Sequence, residues 1–343
     1  MKVLILTAGF GTRLRPISLF YPKPTLPVLK KPILHHLFDY LGKYNIKKIA
    51  LNLHYKSEKI VECVKNYPHF KEIEFHFSYE HPEILLTAGA IKKCEKFLKG
   101  ENFFVINGKI ITDISLKKLL NRHKKGNYIA TIVVKENKDS VKNPYTNVIF
   151  SKNRELVGFG EGRGKKKFFF TGVQIFSPEI FKYIPEDRPL HTTTYLFPRL
   201  IELGKKIGVM IDEGSSWYEF STPERYYTNN FEIFENKDML NFSGENLNVG
   251  GNSYIKKSII GDNVEINGNS SVEDSILFGN DFIGGSSRIK KCVILDGIEL
   301  QDVELEKRII TPFPFEAVKN EKYKLKKGEE ILYGKYLSTP INI

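Results

Sequence analysis

The sequence is poor in cysteine and has no long hydrophobic run. Its three cysteines, Cys63, Cys94 and Cys292, leave one unpaired in any disulfide scheme and lack the spacing of a zinc site. The apolar run at residues 3–6 is too short for a signal-peptide core, and no stretch approaches the ~20 apolar residues that cross a bilayer. These absences exclude a disulfide scaffold and predict reduced thiols in a cytoplasmic protein with no membrane partner.

Acidic residues are fewer than basic ones. The chain has 52 Lys and Arg residues and 40 Asp and Glu residues, which gives a formal net charge of +12. Such a balance suits nucleic acid, an anionic membrane surface or a phosphorylated small substrate. The lysines occur in short runs over the whole length, as at 47–48, 92–93 and 165–167, and form no single arm or helical stripe. This scatter indicates a solvated surface, and without a nucleic-acid-binding motif no nucleic-acid partner is expected.

The first part of the chain alternates short apolar runs with segments of helical periodicity. Predicted strands cover residues 3–6, 49–53, 73–77, 103–106 and 168–170, and predicted helices cover residues 32–41, 58–65, 89–97 and 116–123. Strands that alternate with helices predict an α/β fold, an open and mostly parallel sheet with helices on both faces. Ligands of such sheets bind at the carboxyl ends of the strands.

Helical periodicity ends near residue 245, where a repeat begins. The segments 255–259, 272–276 and 289–293 share one apolar and polar pattern, and each starts 17 positions after the last. This period is typical of a solenoid in which short strands stack in successive coils. The sequence therefore predicts a domain at 1–236, a β-helix at 245–311 and a cap or tail at 312–343. Without an evident catalytic histidine, the β-helix is expected to have a structural role, including homo-oligomer formation.

The segment 6–16, LTAGFGTRLRP, followed by YPKPTLPV at 21–28, combines features that phosphate chemistry requires. Gly9 and Gly11 let backbone N–H groups approach a polyphosphate, and Arg13 supplies a bidentate donor. Lys23 places a positive charge on a segment stiffened by two prolines. The spacing matches neither a Walker loop nor G-x-G-x-x-G, which disfavours a P-loop ATPase and a dinucleotide oxidoreductase.

This pair of motifs resembles the signature of the sugar-1-phosphate nucleotidylyltransferases, such as mannose-1-phosphate guanylyltransferases and glucose-1-phosphate thymidylyltransferases. The resemblance covers about residues 1–235, and the repeat resembles the left-handed β-helix that many members carry. It implies a Rossmann-like domain that joins a nucleoside triphosphate (NTP) to a sugar 1-phosphate and releases pyrophosphate. The segments 87–90, TAGA, and 217–226, WYEFSTPERY, resemble a base-recognition loop and the late W-x-D-I-G-T-P-E-x-Y element.

The resemblance also implies roles for individual residues. Arg13 and Lys23 would be catalytic and act on the triphosphate. The nucleotide-binding residues would be Ala8, Gly9, Gly11, Thr12, Thr87 and Gly89. The sugar-binding residues would be Asn107, Gly108, Glu161, Thr171 and Gly172. Glu219 would bind the metal.

The sequence departs from the family pattern where the family binds magnesium between two aspartates. The family motif N-G-D is replaced by Asn107-Gly108-Lys109. Glu219 replaces the aspartate of the W-x-D-I-G-T-P-E-x-Y element, and Leu86 occupies a position where the family commonly has glycine. Lys109 cannot be a magnesium ligand. Asp113 is about 13 Å along an extended chain from position 109, too far to replace a ligand there, and Asp212 stays a candidate substitute.

Three interpretations of this exchange stay open. Lys109 and Glu219 together carry no net charge, so an ammonium–carboxylate pair would fill the place of the metal without burying a charge. Alternatively, Lys109 touches the phosphates directly and the enzyme is active with altered metal dependence. In the third interpretation catalysis is lost, and the chain is a catalytically silent regulatory homologue that binds a sugar nucleotide.

Overall fold

The computed structural model describes residues 1–138, 145–161, 166–235, 241–319 and 323–343. Contacts divide the chain into two compact units, each assembled from separate segments. The sheet unit comprises Met1–Phe10 and Ile33–Tyr218, and the β-helix unit comprises Gly11–Pro32 and Glu219–Ile343. The motif that begins at residue 6 is therefore shared between the two units. Within the described residues, no helix has the length and apolar character needed to span a bilayer.

A seven-stranded sheet forms the centre of the sheet unit. Its strands, numbered along the chain, are β1 (Lys2–Leu6), β2 (Lys48–Leu53), β3 (Glu74–Tyr79), β4 (Phe103–Asn107), β5 (Ala130–Glu136), β6 (Phe168–Phe176) and β7 (Ile207–Ile211). Their spatial order is β7-β5-β6-β4-β1-β2-β3. All neighbours are parallel except β6, which runs antiparallel to both β4 and β5. The predicted mostly parallel sheet is confirmed.

Helices follow most of these strands, as the alternating pattern predicts. In the sheet unit they are α1 (Ile33–Gly42), α2 (Ser57–Lys65), α3 (Leu86–Lys93), α4 (Glu95–Leu98), α5 (Leu116–Lys125) and α6 (Phe197–Glu202). One helix was expected over 89–97, but the structure has two, because the backbone leaves helical geometry at Cys94. Helix α5 begins where Ser115 Oγ accepts a hydrogen bond from Lys118 N. It buries Leu119 and His123, which lie four residues apart on one face.

Shorter elements complete the sheet unit. They are the strands Ile110–Thr112, Val148–Phe150 and Leu156–Phe159, the 3₁₀ helices Phe70–Glu72 and Pro178–Tyr183, and the π-helix Thr192–Leu196. The strand Trp217–Glu219 ends at the boundary between the units.

The predicted β-helix is confirmed. Its coils contribute to three stacks of parallel strands: Asn248–Val249, Glu265–Ile266, Phe282–Gly284 and Glu299–Gln301; Tyr254–Lys256, Ser271–Glu273, Arg288–Lys290 and Glu304–Glu306; and Ile259–Asp262, Ile276–Gly279, Val293–Ile294 and Arg308–Pro312. The repeat of 17 residues places Ile255 beside Val272 and Val272 beside Ile289. Inward-facing aliphatic side chains from successive coils form one buried core.

One corner of the β-helix is a column of asparagines. Asn246, Asn263 and Asn280 have φ values of 55°, 55° and 51°, the left-handed region that asparagine tolerates better than most residues. Asn246 Nδ2 donates to Asn263 Oδ1 at 2.8 Å, and Asn263 Nδ2 donates to Asn280 Oδ1 at 2.9 Å. The polar residue that recurs in the sequence therefore both makes the turn and links the coils.

The chain flanks the β-helix with a helix before it and strands after it. Helix α7 (Pro223–Glu235) buries aromatic residues along one side, and Tyr227 Oη donates to the carbonyl of Asp274 at 2.6 Å. After the last coil come α8 (Phe315–Lys319) and the strands Glu330–Leu332 and Tyr336–Pro340. Tyr336–Pro340 pairs antiparallel with Arg308–Pro312. The tail thus forms a sheet extension at the end of the β-helix.

Candidate functional site

The signature segment is the part of the β-helix unit from Gly11 to Pro32. It contains three short 3₁₀ helices, Thr12–Leu14, Ile17–Leu19 and Lys23–Thr25. Gly11 has a φ of +71°, and a Cβ there would lie 2.9 Å from Ser18 Cβ and 3.7 Å from Lys23 Cε. Ser18 Oγ donates to the Gly11 carbonyl at 2.8 Å. The Lys23 stem therefore lies against Gly11, and exposed Arg13 follows in the first turn.

The β-helix and helix α7 hold this segment in place. Tyr226 Oη donates to the carbonyl of Pro27 at 2.6 Å. Lys30 Nζ lies 2.5 Å from Asp262 Oδ1, and its hydrogen bond holds the pKa of that carboxyl below its usual value. The Tyr21 ring meets that of Phe278 with centroids 5.4 Å apart. Sequence reasoning missed this support, because nothing in the repeat marks Asp262 or Phe278 as different from other corner residues.

In the sheet unit, the motif begins at the end of strand β1. A Cβ added at Gly9 would meet nothing within 4 Å, so packing within the fold does not require glycine there. Ala8 beside it is buried. An open approach to the backbone is what a phosphate-binding loop needs, and Gly9 provides it.

A buried polar network behind this loop was not predicted from the sequence. Thr7 N donates to Asn52 Oδ1 at 2.7 Å, and Asn52 Nδ2 donates to Glu80 Oε1 at 2.9 Å. Glu80 Oε2 accepts from the backbone N–H of Leu85 at 2.7 Å. Burial raises the pKa of Glu80, while the hydrogen bonds from Asn52 and Leu85 lower it. The available signal was Asn52 within the apolar run that forms strand β2.

The turn that resembles a base-recognition loop is fixed by the segment 188–192. Thr192 N donates to Thr87 Oγ1 at 2.8 Å, so the Thr87 hydroxyl has a protein partner. A Cβ at Gly89 would lie 2.4 Å from the carbonyl oxygen of Arg188. Leu86, which replaces the family glycine, has a φ of +59°. The structure therefore explains the common glycine, because a branched side chain is strained in this conformation.

Asn107 and Gly172, two of the predicted sugar-binding residues, lie side by side. The register between β6 and β5 shifts between Phe170 and Gln174, and Gly172 in this bulge has a φ of +81°. A Cβ at Gly172 would lie 2.2 Å from Asn107 Nδ2. The close approach of backbone and amide is therefore possible only with glycine at position 172.

The other predicted sugar-binding residues have different surroundings. Gly108 N donates to the Leu6 carbonyl at 2.9 Å. Thr171 is buried, and its hydroxyl donates to the Val133 carbonyl at 2.9 Å, while its own carbonyl accepts from Trp217 Nε1 at 2.9 Å. Glu161 is exposed beyond the strand Leu156–Phe159. Gly162, the residue after Glu161, lies outside the described residues.

Glu219, the predicted metal ligand, is buried and forms an ion pair. Its exposed fraction is 7%, and its Oε2 accepts hydrogen bonds from Arg225 Nη1 and, at 2.9 Å, from Ser221 Oγ. Its backbone carbonyl accepts from Asn229 Nδ2 at 3.0 Å. This ion pair was not predicted, since Arg225 lies six residues along the chain from Glu219, beyond a turn.

These residues do not fit a magnesium ion in the manner of the family. Magnesium needs several oxygen ligands in near-octahedral geometry, whereas position 109 carries an ammonium group and the Glu219 carboxylate is paired with Arg225. The possible substitutes also have partners. Asp113 Oδ1 accepts from Ser216 N at 2.7 Å, and Asp212 Oδ2 lies 2.8 Å from Lys135 Nζ. Within the described ranges, no three His, Cys, Asp or Glu residues form a group that could hold a metal.

Comparison with protein families gives two matches. Residues 2–236 match the family described as Nucleotidyl transferase, and residues 244–305 match the family described as GlmU-like, C-terminal hexapeptide. The two matched ranges correspond to the sheet and loop region before residue 236 and to the β-helix.

Individual proteins show the same similarity. A UTP–glucose-1-phosphate uridylyltransferase of Synechocystis sp. is 29% identical over 60% of this chain and 56% of its own length. Mannose-1-phosphate guanyltransferase 2 of Candida glabrata is 32% identical over 66% of this chain and 63% of its own length. This chain therefore spans less than two thirds of either relative.

A solved structure agrees in fold with part of the chain. It is that of HddC from Yersinia pseudotuberculosis complexed with GMP-PN, which superimposes with a TM-score of 0.59 and 26% identity. The match covers 68% of this chain and 99% of HddC. With more than half of its residues in the Nucleotidyl transferase match, this chain belongs to the nucleotidyl transferase family.

Proposed function

We propose that this protein transfers a nucleotidyl group from an NTP to a sugar 1-phosphate and releases pyrophosphate. The observation that carries the proposal is the conformation of the signature segment. Lys23 lies against Gly11, the Ser18 hydroxyl fixes the Gly11 carbonyl, and Arg13 is exposed in the adjoining turn. A glycine turn with two neighbouring cations suits the tail of a triphosphate.

The proposed reaction is a single in-line displacement. An oxygen of the sugar phosphate attacks the α-phosphorus, the bond from that phosphorus to the bridging α,β-oxygen breaks, and pyrophosphate leaves with the electron pair. Arg13 and Lys23 would stabilise the charge that develops on the leaving group. The backbone at Ala8, Gly9, Gly11 and Thr12 would bind the phosphates.

The remaining candidate residues would bind the base and the sugar. The turn at Thr87 and Gly89 would face the base. Asn107, Gly108, Thr171 and Gly172, with Glu161, would bind the sugar. Lys109, half-buried after strand β4, would supply a further positive charge toward the phosphates.

Catalysis is favoured over a silent regulatory role, because the relatives named above are transferases. Guanylyl transfer is the first choice of base, since one of these relatives is a mannose-1-phosphate guanyltransferase and the HddC structure is complexed with GMP-PN. We place the activity in the cytoplasm, where the three free thiols of the chain would stay reduced. Homo-oligomer formation through the β-helix stays a prediction, testable by sedimentation.

The experiment is an assay of pyrophosphate release with GTP, UTP and dTTP, each paired with mannose 1-phosphate and glucose 1-phosphate. We expect release that needs both substrates and one preferred pair, and loss of release in Lys23→Ala. Binding of a nucleotide sugar without turnover of any pair would contradict the proposal and favour the silent homologue.

A further inference from the structure

The late element of the family pattern carries an ion pair where a metal ligand is expected. We propose that Arg225 takes the electrostatic place of a divalent cation at Glu219, so that the protein holds no resident metal ion on this carboxylate. The proposal rests on the family assignment and on the geometry of the β-helix unit. It does not depend on the proposed substrates.

The turn before helix α7 positions the guanidinium. Pro223 is the first residue of the helix, and Thr222 Oγ1 accepts from Arg225 N at 3.3 Å, so Arg225 lies in the first helical turn. Its side chain reaches back to Glu219, where Nη1 donates to Oε2. The helix start therefore fixes both the backbone and the direction of the arginine.

Ser221 completes the arrangement. The family pattern has glycine at this position, whereas the Ser221 hydroxyl donates to Glu219 Oε2 at 2.9 Å and lies 3.4 Å from Arg225 Nη1. Ser221 is 1% exposed. One carboxylate oxygen, Oε2, thus accepts from both a guanidinium and a hydroxyl, which occupies its two lone pairs.

Charge balance supports the same conclusion. A buried carboxylate with a guanidinium partner is neutral as a pair, and a buried net charge is what proteins avoid. A divalent cation added to this pair would bring two more positive charges to a carboxylate that is 7% exposed. A cation that displaced Arg225 from Glu219 would instead have to break the ion pair between them.

The first test measures metal binding directly, with the full chain and no nucleotide. Free Mn²⁺ is followed by electron paramagnetic resonance during titration of the natural protein and of Glu219→Gln. We expect the two titrations to superimpose, because Glu219 is not a ligand. One Mn²⁺ bound per natural chain and lost in Glu219→Gln would overturn the proposal.

The second test asks whether Arg225 is the group that replaces the cation. Thermal unfolding is measured with and without magnesium chloride for the natural protein, Arg225→Gln and the matched control Arg225→Gln with Glu219→Gln. Magnesium should raise the Tm of Arg225→Gln by about 1–2 °C, as expected for ~1 kcal/mol of binding energy in a chain of this length. The natural protein and the double variant should not respond.

A flat response in Arg225→Gln, or an equal response in the double variant, would overturn the proposal. If Arg225→Gln fails to fold, the Mn²⁺ titration still decides.

Calorimetric titration of an NTP into the natural protein separates this inference from the proposed function. Absence of nucleotide binding would refute the proposed function and leave the metal result intact.

Discussion

The two compact units carry candidate groups of different chemistry. In the sheet unit the candidate groups are mostly uncharged and held by their own fold, as Thr87 is by Thr192 and Asn107 by the bulge at Gly172. The β-helix unit carries the proposed catalytic cations Arg13 and Lys23. The comparison indicates that packing fixes the candidate groups of the sheet unit, whereas those of the β-helix unit include two cations.

The difference gives the β-helix a role beyond stacking its own coils. Asp262 and Phe278 lie on coils of the repeat and contact Lys30 and Tyr21 of the signature segment. The segment that resembles a triphosphate site is thus supported by the repeat domain. Four predictions test this division of roles, from the largest effect to the smallest.

Removal of the Lys23 charge should have the largest effect. Lys23→Ala should lower the rate of pyrophosphate release by about 10²–10³-fold, the usual cost of losing one preorganised group that stabilises transition-state charge. The steady-state rate with saturating substrates measures it. Lys43→Ala, which removes an exposed lysine of the sheet unit, is the control and should keep the natural rate. A Lys23→Ala rate close to that of the control would mean that the β-helix unit does not supply the catalytic charge.

The two units should respond to pH in opposite directions. Burial lowers the pKa of His123 in the sheet unit to about 4. The unfolded chain then binds more protons below about pH 6.5, so acid should remove about 3 kcal/mol of stability between pH 6.5 and pH 4.

Burial raises the pKa of Asp281 in the β-helix unit to about 8, although the backbone N–H groups of Ile298 and Gly279 oppose this shift. The folded state then binds more protons, and stability should fall as pH rises from about 4 to 8.

Denaturant unfolding across this pH range measures the effect, and hydrogen exchange assigns it to each unit. In the sheet unit, His123→Gln should remove the loss of stability below about pH 6.5. In the β-helix unit, Asp281→Asn should remove the loss of stability between about pH 4 and 8. A change in the pH dependence of both units in either variant would show that the units do not titrate separately.

Loss of the aromatic contact under the signature segment should have a moderate effect. Phe278→Ala should lower the free energy of unfolding by about 2 kcal/mol, since the ring is half-buried between Tyr21 and Tyr226. It should also weaken nucleotide binding by about tenfold, or 1.4 kcal/mol, because the segment loses support. Calorimetry measures the affinity, and Phe278→Leu should restore most of it. An unchanged affinity in Phe278→Ala would separate the β-helix from the site.

Relief of the strained turn in the sheet unit should have the smallest effect. Leu86 has a left-handed backbone conformation, which costs roughly 1 kcal/mol of folding free energy, and Leu86→Gly removes this cost. Part of the gain is offset, because the variant buries less side chain and its unfolded chain is more flexible. We expect nucleotide affinity to rise about threefold, or ~0.6 kcal/mol, in the same titration. Leu85→Ala is the contrasting control, because Leu85 is buried and its loss should only destabilise. Weaker nucleotide binding in Leu86→Gly would show that the leucine contributes a contact.

The fold could be predicted because its signals are local. The apolar run before Gly9 and the 17-residue repeat each specify an element, and both elements are confirmed. The break at Cys94 was missed, because helical periodicity continues through it. Local patterns do not report a departure from helical geometry at one residue.

The candidate site was less predictable, because its contacts are not local. Sequence reasoning identified Gly11 and Lys23 but not the contact of the neighbouring Tyr21 with Phe278, which depends on coils far along the chain. It marked Glu219 as unusual and did not foresee Arg225, because the pair forms only when the helix start turns the side chain back. Motifs report residue types at fixed spacing, whereas packing decides which charges meet.

The central claim is that the segment from Gly11 to Lys23 binds the tail of a triphosphate. Its most direct test is calorimetric titration of the natural protein and Lys23→Ala with the best NTP of the panel and with the corresponding nucleoside. The account predicts that Lys23→Ala weakens binding of the triphosphate and leaves that of the nucleoside unchanged. Equal triphosphate affinity in both proteins, or no triphosphate binding at all, would contradict it.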